Sequence, residues 1–124
     1  MSKARPVVAI VDDDPRLLES LQDLLESAGY VARSFSSAES LLISGLSDVD
    51  VLITDIGMPG VDGFELRDLV KKARPELPVF LLTGRHEIAD QHRAQGISGF
   101  FHKPFDAYAL LSAVGDALQP RSRG

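Results

Sequence analysis

The chain has 124 residues, 44% of them hydrophobic, a formal charge of −5 and no cysteine. One domain of this length buries a sizeable core. The acidic balance argues against nonspecific nucleic-acid binding by this chain, which needs clustered Lys and Arg, and the absence of Cys excludes a disulfide framework or a Cys-ligated zinc site.

The run PVVAIV, Pro6–Val11, is continuously apolar, the pattern of a strand covered on both faces. It is too short for a signal peptide or a membrane span, so a cytoplasmic protein without membrane contact is expected. Asp14-Pro15 predicts a helix start, with Asp14 as N-cap and Pro15 at the first helical position. Leu17, Leu18, Leu21, Leu24, Leu25 and Ala28 follow at helical spacing, and Gly29 stands where a terminal glycine belongs. Val31–Phe35 reads as a second strand. Ser36-x-x-Glu39 has the pattern of a capping box and predicts a helix through Leu41 and Leu42 that stops near Gly45.

Val49–Asp55 is a third apolar strand, and it ends on a carboxylate. The loop after it, IGMPGVDG, is rich in turn residues, and Gly60 and Gly63 are expected to supply unusual backbone angles. Asp62-x-x-Glu65 opens a third helix carrying Phe64, Leu66, Leu69, Val70 and Ala73, which Pro75 and Pro78 end. Val79–Thr83 is a fourth strand. The polar stretch Glu87–Gln95 reads as a helix, Gly99–His102 as a short fifth strand, and Asp106 as the cap of a last helix with Leu110, Leu111, Val114 and Leu118. Strands alternating with helices predict a parallel five-stranded sheet with helices on both faces, an open doubly wound α/β domain. This domain is expected over residues 1–120, with residues 121–124 a frayed tail or the start of a linker.

In such a sheet, ligands bind beyond the carboxyl ends of the strands. Asp12, Asp13 and Asp14 follow the first strand, Asp55 ends the third, Thr83 and Gly84 the fourth, and Lys103-Pro104 the fifth. Taken singly, Asp14 is an N-cap, Thr83 a strand residue and Lys103 a solvated lysine. Asp55 resists that treatment. Two like charges about 4 Å apart repel by about 4 kcal/mol at an effective dielectric of about 20, so clustered carboxylates call for a cation. All-oxygen ligation suits Mg²⁺, which usually takes one or two carboxylates, waters and a phosphate oxygen.

The segments IVDDDP (Ile10–Pro15), ITDIGMPGVDG (Ile53–Gly63), LLTGR (Leu81–Arg85) and FHKPF (Phe101–Phe105) together resemble the receiver domains of two-component response regulators. The likeness runs from Pro6 to Leu118. AGYVARSFSSAESLL, with MPG and TG, is most similar to the receivers often joined to helix-turn-helix output domains. The resemblance implies a flavodoxin-like, CheY-like fold of five β-α units. It implies that Asp55 is the phospho-acceptor, attacking the phosphorus of a phosphohistidine on a sensor histidine kinase. It further implies that Asp12, Asp13, Asp55 and the Gly57 backbone carbonyl hold Mg²⁺. Lys103 would pair with a phosphoryl oxygen, and the Lys103–Pro104 bond would be cis. Thr83 and Phe100 would form the switch, with Phe101 a core residue. If alternation holds, only one of that aromatic pair faces the switch side.

On this reading the chain is a signalling domain rather than an enzyme with an external substrate. It controls an attached or partner output, transcription foremost, and dimerises on phosphorylation as the family does. Two departures stand out. The stretch from Thr83 to Lys103 is about two residues shorter than is usual in the family. Gly57 and Arg85 occupy positions that influence loss of the phosphoryl group to water. His86, His92 and His102 read as surface residues. The competing readings are a degenerate, phosphorylation-independent interaction module and a haloacid dehalogenase-type phosphatase. The latter resembles a pattern whose second aspartate would fall at Gly57.

Overall fold

The computed structural model describes residues 5–84, 99–103 and 105–119. Five strands, β1 (Val7–Val11), β2 (Val31–Phe35), β3 (Val51–Asp55), β4 (Val79–Thr83) and β5 (Gly99–His102), form one sheet in the order β2-β1-β3-β4-β5. Every neighbouring pair is parallel. Four helices are described: α1 (Pro15–Ser27), α2 (Ala38–Ser44), α3 (Gly63–Ala73) and α4 (Ala107–Leu118). The helix expected over Glu87–Gln95 lies outside the described residues.

Strand alternation divides the core. Ala9 and Val11 of β1, Leu52 of β3 and Leu81 of β4 pack with Leu41 of α2 and Phe64, Leu66 and Val70 of α3. Their chain neighbours Val8, Ile10, Ile53, Phe80 and Leu82 pack on the other face with Leu21 and Leu25 of α1 and Leu110 and Val114 of α4. Successive side chains of a strand point to opposite faces, so a strand buried on both sides is apolar along most of its length. β3 and β4 are buried at every residue. β2, at the edge, is mostly half-exposed and carries Arg33 and Ser34.

The helix starts are chemically explicit. Asp14 caps α1, accepting from the Arg16 N–H at 3.0 Å. Asp106 caps α4, accepting from the N–H groups of Tyr108 and Ala109. Asp62 and Glu65 form the full reciprocal box at α3, with bonds of 2.9 and 3.0 Å. Asp62→Ala is expected to cost about 1 kcal/mol, measured as a lower urea midpoint with unchanged slope. At α2 the expected box is not formed. The N-cap is Ser37, which accepts from the Ser40 N–H at 3.1 Å. The helix therefore begins one residue later than Ser36 predicts, and Glu39 is released from capping.

Gly63 is a second correction. Gly60 has φ +78°, the left-handed conformation expected of it. Gly63 does not share that geometry. A Cβ there would lie 2.5 Å from the Asp55 carbonyl oxygen and 2.7 Å from the Ile56 Cα. Glycine is required because the start of α3 lies directly against the end of β3, and the Gly63 N–H donates to the Ile56 carbonyl at 2.9 Å.

Candidate functional site

The chain runs from β1 outward to β2, then returns past β1 to β3 and continues to β4 and β5. The strand order thus reverses between β1 and β3, and the carboxyl ends of these two strands flank the crevice that such a reversal creates. Val11 and Thr54 are paired in register. One residue further on, Asp12 follows the end of β1 and Asp55 is the last residue of β3, so the two emerge at the same rim.

Asp12 is fully buried and Asp55 is 6% exposed. The backbone beneath them is tied down. The Asp12 N–H donates to the Phe35 carbonyl, the Ile56 N–H to the Leu82 carbonyl, and the buried Thr54 hydroxyl to the Asp55 carbonyl. Both carboxylates are therefore mounted on rigid backbone. Asp13 is exposed, and one carboxylate oxygen from each of Asp12, Asp13 and Asp55 falls within 4.8 Å of the others.

Lys103 answers this negative charge. Its Nζ lies 2.9 Å from Asp12 Oδ2 and 3.1 Å from Asp55 Oδ1. Its own backbone N–H donates to the Thr83 carbonyl at 2.7 Å, so β4 fixes where the lysine emerges. The second Asp12 oxygen accepts from the Asp14 N–H at 2.8 Å. Burial, and then the charge of Asp12, push the Asp55 carboxyl above its ordinary value, and the Lys103 ammonium only partly offsets them. Burial works against the Lys103 ammonium, but its hydrogen bonds to Asp12 and Asp55 and their charges prevail and raise its pKa. The site keeps an excess of negative charge after Lys103 is counted. An all-oxygen, carboxylate-rich donor set with that excess fits a hard divalent cation such as Mg²⁺.

Thr83 is buried at the end of β4. By alternation it shares a sheet face with Leu81, and Leu81 pairs in register with Phe100. Phe100 packs on that face, its ring centroid 6.4 Å from that of Phe64 in an edge-to-face arrangement. Phe101 packs on the opposite face against Phe80, at 5.9 Å. Only Phe100 is on the Thr83 side, as alternation requires. Gly57 is exposed at the rim, in a tight turn closed by the Met58 N–H donating to the Ile56 carbonyl. His102 is exposed. Pro104, Arg85, His86 and His92 lie outside the described residues.

Residues 8–115 match the family described as the response regulator receiver domain. The chain belongs to that family. The receiver is 39% identical over 122 residues to the transcriptional regulatory protein GlrR of Escherichia coli K12, covering 96% of this chain and 28% of GlrR. It is 34% identical over 114 residues to the transcriptional regulatory protein FixJ of Azorhizobium caulinodans, covering 90% of this chain and 54% of FixJ. It thus spans only part of these curated relatives. Among solved structures, a receiver domain protein from Clostridium thermocellum superposes with a TM-score of 0.84 at 26% identity, over 91% of this chain and 94% of that one. The chemotaxis protein CheY4 of Vibrio cholerae superposes with a TM-score of 0.83 at 27% identity, over 93% of this chain and 100% of that one. Among the described residues of the receiver, no helix is long and apolar enough to cross a membrane.

Two features of the rim escaped sequence reasoning. The contact of Gly63 with the β3 terminus needs three-dimensional proximity to be seen. The position of Glu39 was hidden by a motif that fits another role.

Proposed function

We propose that this receiver accepts a phosphoryl group on Asp55 from a phosphohistidine of a sensor histidine kinase. The observation that carries the reading is the Lys103 ammonium held between the buried carboxylates of Asp12 and Asp55. An Asp55 carboxylate oxygen attacks phosphorus, the phosphorus–nitrogen bond to histidine breaks, and an acyl phosphate forms. Asp12, Asp13, Asp55 and the Gly57 carbonyl would hold Mg²⁺. Bound there, the ion supplies charge neutralisation for the phosphoryl oxygens.

Lys103 pairs with a phosphoryl oxygen as charge moves onto Asp55. The Thr83 hydroxyl turns toward another oxygen, and Phe100, on the same face of the sheet, follows into the space released. Added negative charge and new acceptor oxygens at Asp55 bias this two-state element. The chemistry is directed at the chain itself: phosphotransfer to Asp55 and later hydrolysis. The output is an attached or partner domain, transcriptional in keeping with the names of the curated relatives.

Incubation with acetyl phosphate and Mg²⁺, read by intact-mass spectrometry, tests the reading. One phosphoryl adduct is expected on the wild type, and none on Asp55→Asn or with chelator. Absence of an adduct on the wild type, together with no response to the stable mimic beryllium fluoride, would favour a phosphorylation-independent interaction module.

A further inference from the structure

Glu39 stands in the first turn of α2, where its carboxylate is free of the capping role its spacing suggests. It turns instead to the loop between β3 and α3. Its Oε2 accepts from the Val61 N–H at 3.4 Å. The same oxygen fills the space above Gly60, 2.9 Å from where a Cβ would stand. Gly60 is at φ +78°, so the backbone there is already in a conformation suited to glycine. Among the described residues, the other hydrogen bonds of this loop run from the Ile56 N–H at its base to the Leu82 carbonyl, from the Met58 and Gly63 N–H groups to the Ile56 carbonyl, and within the Asp62–Glu65 box. Beyond Ile56, Glu39 supplies the hydrogen bond that ties the loop to a separate element, across 22 residues of sequence.

We propose that Glu39 is a positioning residue for the metal site, restraining the Gly57–Val61 loop and so the Gly57 carbonyl. The inference rests on the reading of Asp12, Asp13, Asp55 and Gly57 given above. Gly57 is exposed, and a Cβ there would meet nothing within 4 Å. A backbone ligand at such a place keeps its position only through what holds its loop. Met58 and Val61 anchor the loop by packing into the core, and Glu39 supplies the polar tether.

The test is a titration of ¹⁵N-labelled protein with MgCl₂ alone, following amide shifts, for the wild type, E39A and E39Q. Hydrogen exchange at the Val61 amide in chelator is measured alongside. E39A is expected to weaken Mg²⁺ binding about fivefold, less than the ~10–100-fold carried by partners bonded directly to a metal ligand. E39Q keeps an acceptor oxygen and should bind within about twofold of the wild type. Val61 exchange should accelerate in E39A and recover in E39Q, with metal-free melting temperatures little changed. E39A binding Mg²⁺ like the wild type would overturn the proposal. So would E39Q binding as weakly as E39A, which would mark a through-space charge effect in place of a tether. Failure of the wild type to bind Mg²⁺ sinks the metal-site reading instead. Val61 exchange then decides the tether by itself: unchanged protection in E39A removes it, and lost protection retains it.

Discussion

Lys103→Ala is expected to lower stability by about 2–3 kcal/mol in metal-free solution at neutral pH. Removing one partner of a buried pair typically costs about 3–5 kcal/mol, and the 26% exposure of the lysine side chain places this case lower. The loss falls on the partners. Asp12, fully buried, keeps the hydrogen bond from the Asp14 N–H but loses its cation. Asp55, already raised by burial and by Asp12, loses the group that pulls it down.

The sign of the pH dependence follows. A carboxyl whose folded pKa exceeds its unfolded one destabilises the fold above the folded value, and the penalty disappears as pH falls below the unfolded value, about 3.9 for Asp. The deficit of Lys103→Ala should therefore shrink on acidification from neutrality toward about pH 4. The Lys103 pKa is itself raised. Its stabilising contribution is present in full below the unfolded lysine value and fades as pH rises through the folded one, so the deficit should also close in strong alkali. Urea denaturation across pH in chelator checks both arms. A midpoint equal to that of the wild type at neutral pH would show that the triad contributes nothing. Asp55→Asn should move the other way, gaining about 1 kcal/mol without metal, because it removes a charge that the fold penalises. Saturating Mg²⁺ should recover part of the Lys103→Ala loss and give Asp55→Asn little.

Gly63→Ala is expected to cost about 3 kcal/mol, the upper part of the range for overpacking a tight site. The atoms its Cβ would meet are the Asp55 carbonyl oxygen at 2.5 Å, the Ile56 Cα at 2.7 Å and the Asp55 carbonyl carbon at 3.1 Å. All three are backbone, so no side-chain rotation relieves the clash, and either α3 or the end of β3 must shift. Displacing the end of β3 moves Asp55. Phosphorylation by acetyl phosphate should therefore slow by about 10- to 100-fold, the scale on which a misplacement near 1 Å acts. Gly57→Ala is the control, because a Cβ there has open space, and its stability should stay within about 0.5 kcal/mol of the wild type. Comparable melting temperatures for the two alanine variants would refute the close approach as the reason for Gly63.

Much of the candidate site was legible because its residues sit at strand ends, and strand ends are local events. An apolar run that stops at Asp12 or Asp55 marks the rim without any knowledge of the fold. The rest depended on neighbours distant in the chain. Ser36 and Glu39 satisfy the spacing of a capping box, yet Ser37 with Ser40 caps the helix. Spacing alone does not choose between adjacent serines, and a loop 22 residues further on draws Glu39 away. Gly60 and Gly63 look equivalent in sequence, but one serves a positive φ and the other a backbone contact.

The order of elements, most helix caps and the residue types at each strand terminus are set locally. These follow from periodicity and from hydrogen bonds between residues a few positions apart. Long-range packing sets what those residues meet. It placed β1 beside β3, so that Asp12 and Asp55 share one crevice, and it brought Lys103 to Asp12 across 91 residues. It also decided which of Phe100 and Phe101 faces the Thr83 side. Strand order and register arise from burying both faces of the sheet at once, a condition on the whole chain that no local window contains.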